Sequence, residues 1–79
     1  GRLVAREARA MTLEYEAALR QFQGAPVPDA VTGSLQTLDQ SAVQIRQAIH
    51  ADPESVYLLQ QLRKTYSRRL ALTQRAVVG

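Results

Sequence analysis

Asp52-Pro53 constrains this chain more than any other pair of residues, because it divides one long apolar periodicity into two. Before it stand Val31, Leu35, Leu38, Ala42, Ile45 and Ile49; after it stand Val56, Leu59, Leu62, Tyr66, Leu70, Thr73 and Val77. Both runs advance by three and four, the spacing that keeps one face of a helix apolar. Two such helices joined at so short a break fold back on each other as an antiparallel hairpin. The expected joint has Asp52 capping the last helix and Pro53 in its first position, where the missing N–H costs nothing. Glu54 then adds favourable charge at the positive end of the helix dipole.

The preceding segment carries a third stripe, Val4, Ala8, Met11, Tyr15, Ala18, Leu19 and Phe22. It ends at Gly24-Ala25-Pro26-Val27-Pro28, since glycine suits a helix C-terminus and two prolines prevent continuation. The expected elements are helix one over about 2–23, helix two over about 29–51 and helix three over about 53–78, in one all-α domain spanning 1–79. Folding the chain on its two joints brings the three stripes into register. Phe22 meets Val31 and Thr73, and Ala18 or Leu19 meets Leu35 and Leu70. Tyr15 meets Leu38 and Tyr66, Met11 meets Ala42 and Leu62, Ala8 meets Ile45 and Leu59, and Val4 meets Ile49 and Val56. This agreement of repeat, turn chemistry and length points to an up-down-up three-helix arrangement. Helix one is rich in alanine toward its start and buries less area than the others, which leaves open its exchange between two chains in a dimer.

Composition narrows the class. A hydrophobic share of 46% belongs to a globular chain rather than a disordered one. Without cysteine there is no disulfide framework and no thiolate metal site. No apolar run approaches the ~18 residues of a membrane span, and no signal-peptide pattern is visible. The first residue is Gly1, and the chain reads as a fragment of a longer protein. The net charge of +3 is uneven: the middle helix is acidic on balance and the last is basic, which suits pairing between them more than a polyanionic partner.

No constellation for catalysis emerges. Glu14 and Glu16 lie two positions apart and face different sides of a helix, whereas acid–base chemistry needs convergence on one substrate. Ser34, Ser41, Ser55 and Ser67 stand in no elbow or base-adjacent pattern. His50 is the only histidine, and with Asp52 and Glu54 it makes a poor ligand set, so neither a metal site nor a cofactor is expected. Glu7 and Glu14 share a flank suited to ion pairs across a helix interface, with Arg63 or Arg69 as partners. Lys64, Arg68 and Arg75 line the side of helix three opposite its core face. A solvated surface is the favoured reading of that stripe; anionic lipid is a further option, and nucleic acid is disfavoured because no aromatic or amide side chains accompany the charges. Leu13 and Leu72 each point away from their own core stripe, and Leu58 and Ala76 lie near the side of Leu72. Leu13, Leu58 and Leu72, with Lys64, Arg68 and Arg75, form a candidate surface for self-association or a protein partner.

A more specific resemblance is carried by Leu38-Asp39-Gln40-Ser41-Ala42-Val43-Gln44-Ile45-Arg46-Gln47-Ala48-Ile49, then Ala51-Asp52-Pro53, then Tyr57-Leu58, Leu62, Thr65-Tyr66 and Arg69-Leu70-Ala71-Leu72. Together with Tyr15-Glu16 and Leu19, this pattern resembles the C-terminal region of bacterial transmembrane anti-sigma factors with a zinc-binding N-terminal domain. Ser41 stands where the family pattern has alanine. The resemblance implies a periplasmic sensor or interaction domain that follows a membrane span absent from these residues and regulates transcription across the membrane. Rival expectations are a structural helical oligomerisation module and, through His50, a small helical metal sensor.

Overall fold

The computed structural model describes residues 2–78. Three α-helices follow in order, α1 (Leu3–Arg20), α2 (Asp29–Ala51) and α3 (Val56–Val78), in a molecule of about 42 × 21 × 15 Å. No strand occurs among the described residues. The architecture is the expected all-α three-helix bundle, with α1 packed against its own chain. The third helix is the centre of the packing: α2 lies along it most extensively, α1 less so, and α1 touches α2 least.

The first joint follows glycine chemistry. The α-helical bonds of α1 stop at Arg20, earlier than the expected Gln23, and the chain tightens instead. Gln21, Phe22 and Gln23 donate their N–H groups to the carbonyls three residues back, at 3.0–3.2 Å. Gly24 then takes φ +83°, a left-handed conformation that closes helix ends and favours glycine. Extended Pro28, with ψ 141°, opens α2, and Asp29 in its first turn places a carboxylate at the positive end of the dipole.

The second joint is built differently from its expected form. Asp52 ends α2, its N–H donating to the Ala48 carbonyl at 2.9 Å, and it does not cap α3. Ser55 donates its N–H back to the Asp52 carbonyl at 3.3 Å, closing a four-residue turn with Pro53 in its second position, where a fixed φ is favoured. Helix three therefore begins at Val56 and not at Pro53. Its cap is Ser55, whose Oγ accepts the Leu58 N–H at 3.2 Å. Asp-Pro suits a turn as well as a helix start, and the serine three residues after Asp52 decides between them.

The core is drawn largely from the expected stripes. Val4, Ala8, Ala42, Ile49, Leu62 and Tyr66 form one buried cluster, flanked by half-buried Met11, Tyr15, Ile45 and Leu59. Leu62 is completely sealed from solvent. Tyr15 and Tyr66 meet as expected and stack with ring centroids 4.0 Å apart and planes 10° apart. Ala5 and Leu58 pack against the cluster from outside the stripes, and Val56 and Thr12 depart from them more sharply. Val56 is 58% exposed, because as the first residue of α3 it sits at the rim of the bundle. Thr12, outside the apolar stripe, is buried in the core: its hydroxyl donates to the Ala8 carbonyl and bonds the Tyr66 hydroxyl, each at 2.8 Å. A threonine hydroxyl has a single hydrogen, so Tyr66 is the donor in the second bond.

Candidate interaction surface

The shallow contact between α1 and α2 leaves a groove between them. Its part near the α2–α3 joint, about 620 Å³, has Ala5, Ala8, Leu13, Val43 and Ile49 among its apolar lining, with Arg9, Glu16, Arg46 and His50 as its charged or titratable residues. A second part, about 590 Å³, lies toward the α1–α2 turn between Leu19, Phe22, Val27 and Leu35, and Arg69 and Thr73 of α3 line it too. Glu16 borders both.

Two features of the sequence accompany the slight contact between α1 and α2. On α1 the groove-facing core positions Ala5 and Ala8 are small, so they bury little area against α2. Toward the other end, Arg69 occupies the space between helices. Its side chain is only 14% exposed, and its Nε donates to Asp39 Oδ1 at 2.8 Å while Nη2 reaches Oδ2 at 3.5 Å. Another guanidinium nitrogen, Nη1, donates to the Thr73 hydroxyl, which itself donates to the Arg69 carbonyl at 2.9 Å. A forked, nearly buried guanidinium satisfied on both arms fixes α2 on α3. The expected pairing of the acidic middle helix with the basic last helix is realised here, though Arg69 takes Asp39 and not Glu7 or Glu14.

Tyr15 lies beside this pair. Burial pushes its hydroxyl up to about 12; the Arg69 charge opposes that shift, while Asp39 and the hydroxyl of Tyr66 reinforce it. The phenol is thus held neutral over the whole physiological range.

The structure separates the residues singled out in the sequence. Leu13 is 64% exposed, as its angle on α1 requires. Leu58 instead packs against the core cluster, and Leu72 is half-buried rather than outward-facing. The cause is the central position of α3: with a helix on each of two sides, its buried sector is wider than a single stripe, and positions far from the stripe still gain cover. Lys64, Arg68 and Arg75 are exposed, away from the groove. His50 stands exposed on the groove rim beside Arg46 and Gln47. Among the described residues no group of three or more His, Cys, Asp or Glu side chains is placed to hold a metal ion.

Val43 was not singled out by the sequence, yet it is 50% exposed in the same groove as Leu13. One position after buried Ala42, it stands about 100° round the helix from the core face. The available signal was an apolar side chain off the stripe on each of two helices predicted to be neighbours. Chemically, the groove offers apolar walls under charged rims, a form suited to receiving a helix face. None of the described helices is long and apolar enough to cross a membrane. No protein-family model, curated protein or solved structure gives a significant match to the chain.

Proposed function

We propose that this chain is a non-enzymatic helical interaction and sensing domain, the periplasmic part of a membrane-anchored anti-sigma regulator. The observation that carries the interaction role is the α1–α2 groove. The bundle closes its core, yet leaves Leu13 and Val43 exposed on two different helices along one cleft. Exposed apolar side chains gathered on one face mark contact surfaces more often than those scattered singly. The anti-sigma assignment is supported by the resemblance of α2, the Ala51-Asp52-Pro53 joint and α3 to that family's C-terminal region. In this reading occupancy of the groove changes how α1 docks. That helix leans chiefly on α3 and little on α2, so it is the element whose position a bound partner alters at least cost.

The test uses the full-length protein. Excision of the segment corresponding to residues 3–78 is expected to change transcription from the promoter of the cognate sigma factor, under stress or at rest. An alkaline phosphatase fusion at the end of the segment is expected to be active, as periplasmic location requires. Unchanged transcription in every condition, or an inactive fusion, rejects the reading. The same exposed leucine and valine also favour a plain oligomerisation module. That alternative predicts association without any effect of the excision on transcription.

A further inference from the structure

We infer that the α1–α2 face is a self-association surface, on which two copies pack their α1 helices antiparallel about a two-fold axis passing between Thr12 and Leu13. The inference deepens the interaction role and rests on it. The argument starts from charges that the monomer leaves unused. Arg9, Glu16 and Arg46 all line the same groove, all are exposed, and within the described residues none of them makes an ion pair. Arg9 and Glu16 are separated by two helical turns, ~10.5 Å along α1, with exposed Leu13 between them in sequence.

This order is self-complementary under a two-fold axis and not under translation. Antiparallel pairing sets Arg9 opposite the second copy's Glu16, and symmetry repeats the pair at the other end. Arg46 approaches from α2 on the same rim and gives the incoming Glu16 a second cation. At the axis the two exposed Leu13 side chains lie against each other, with Val43 beside them. A parallel arrangement in register would instead set Arg9 against Arg9 and Glu16 against Glu16.

The size of the face sets the strength. Eighteen residues of α1 make a strip ~27 Å long. At a width of ~12–15 Å it buries roughly 650–800 Å² over both copies, below the ~1,200 Å² at which stable complexes begin. The dimer is therefore weak, with dissociation in the high micromolar range or above, and it weakens as salt screens the rim charges.

Sedimentation equilibrium and translational diffusion by NMR, from micromolar to millimolar protein, test this through a charge swap. Wild type is expected to dimerise reversibly and less at high salt. Arg9→Glu and Glu16→Arg, each placing like charges across the axis, are expected to weaken dimerisation about tenfold or more. An equimolar mixture of the two variants is expected to associate more tightly than either alone, because the heterodimer restores opposite charges. Leu13→Ser is expected to weaken the wild-type dimer. Unchanged circular dichroism keeps folding out of the comparison, and the mixture is its own control. A strict monomer at millimolar wild type overturns the inference. So does a dimer indifferent to either charge reversal, or a mixture no tighter than its components. Since association alone is read, failure here leaves the transcription assay to decide the anti-sigma assignment separately.

Discussion

The Thr12–Tyr66 contact offers a sharp test of how α1 is held, because its two ends fail differently. Both residues are nearly sealed from solvent, at 8% and 5% exposure. Thr12 spends its one hydrogen on the Ala8 carbonyl, so Tyr66 donates to Thr12. Tyr66→Phe removes that donor. It leaves only a spare lone pair on a threonine that is still bonded, and should cost about 0.5–1.5 kcal/mol, the net worth of one hydrogen bond. The Tyr15 stack survives, since the ring is retained. Thr12→Val keeps shape but leaves the Tyr66 hydroxyl buried with no acceptor, which should cost about 1–3 kcal/mol. Adding Tyr66→Phe to Thr12→Val then removes the stranded hydroxyl, so the double variant should be more stable than Thr12→Val alone. A domain of 79 residues has about 4–12 kcal/mol in total, so differences of this size are measurable. Urea denaturation followed by circular dichroism gives the cycle directly. If Thr12→Val costs no more than Tyr66→Phe, or if the two losses simply add, the assigned donor direction is wrong or α1 does not dock as described.

Three further outcomes follow from the packing. Leu62→Ala empties a site with no solvent access and should cost about 3–5 kcal/mol; a melting curve within ~1 kcal/mol of wild type would place Leu62 outside the core. Ser55→Ala should cost about 0.5–2 kcal/mol through loss of the α3 cap, whereas exposed Asp52→Ala should stay within ~0.5 kcal/mol; the reverse order would return capping to Asp52. Because the Tyr15 hydroxyl is raised from 10.0 to about 12, the folded state keeps its proton where the unfolded state releases it. Its contribution to stability is complete below pH 10 and is lost between about 10 and 12. Tyr15→Phe should flatten that part of the stability profile, and an identical slope in wild type and variant would refute the buried phenol.

The sequence by itself determined the number of helices, their antiparallel order and most of the core. Those follow from local rules: three-and-four spacing of apolar residues, glycine and proline at the breaks, and lengths that match. Residues such as Leu62, Ala42 and Ile49 were legible because a helix faces its core along a single stripe. What only the tertiary structure decided lies where two elements compete for one side chain. Whether Asp52 or Ser55 caps α3 depends on how tightly the chain turns, and both residues qualify locally. Thr12 reads as a surface residue until Tyr66 arrives to bond it, and Arg69, expected to pair with Glu7 or Glu14, is taken by Asp39 instead. The exposure of Leu13 and Val43, and the half-burial of Leu72, are set by where the neighbouring helices sit. Periodicity places a residue at an angle on its own helix, but burial depends on what stands opposite that angle. Here α3 stands between its neighbours and is covered on both sides, while α1 and α2, which touch least, leave Leu13 and Val43 uncovered.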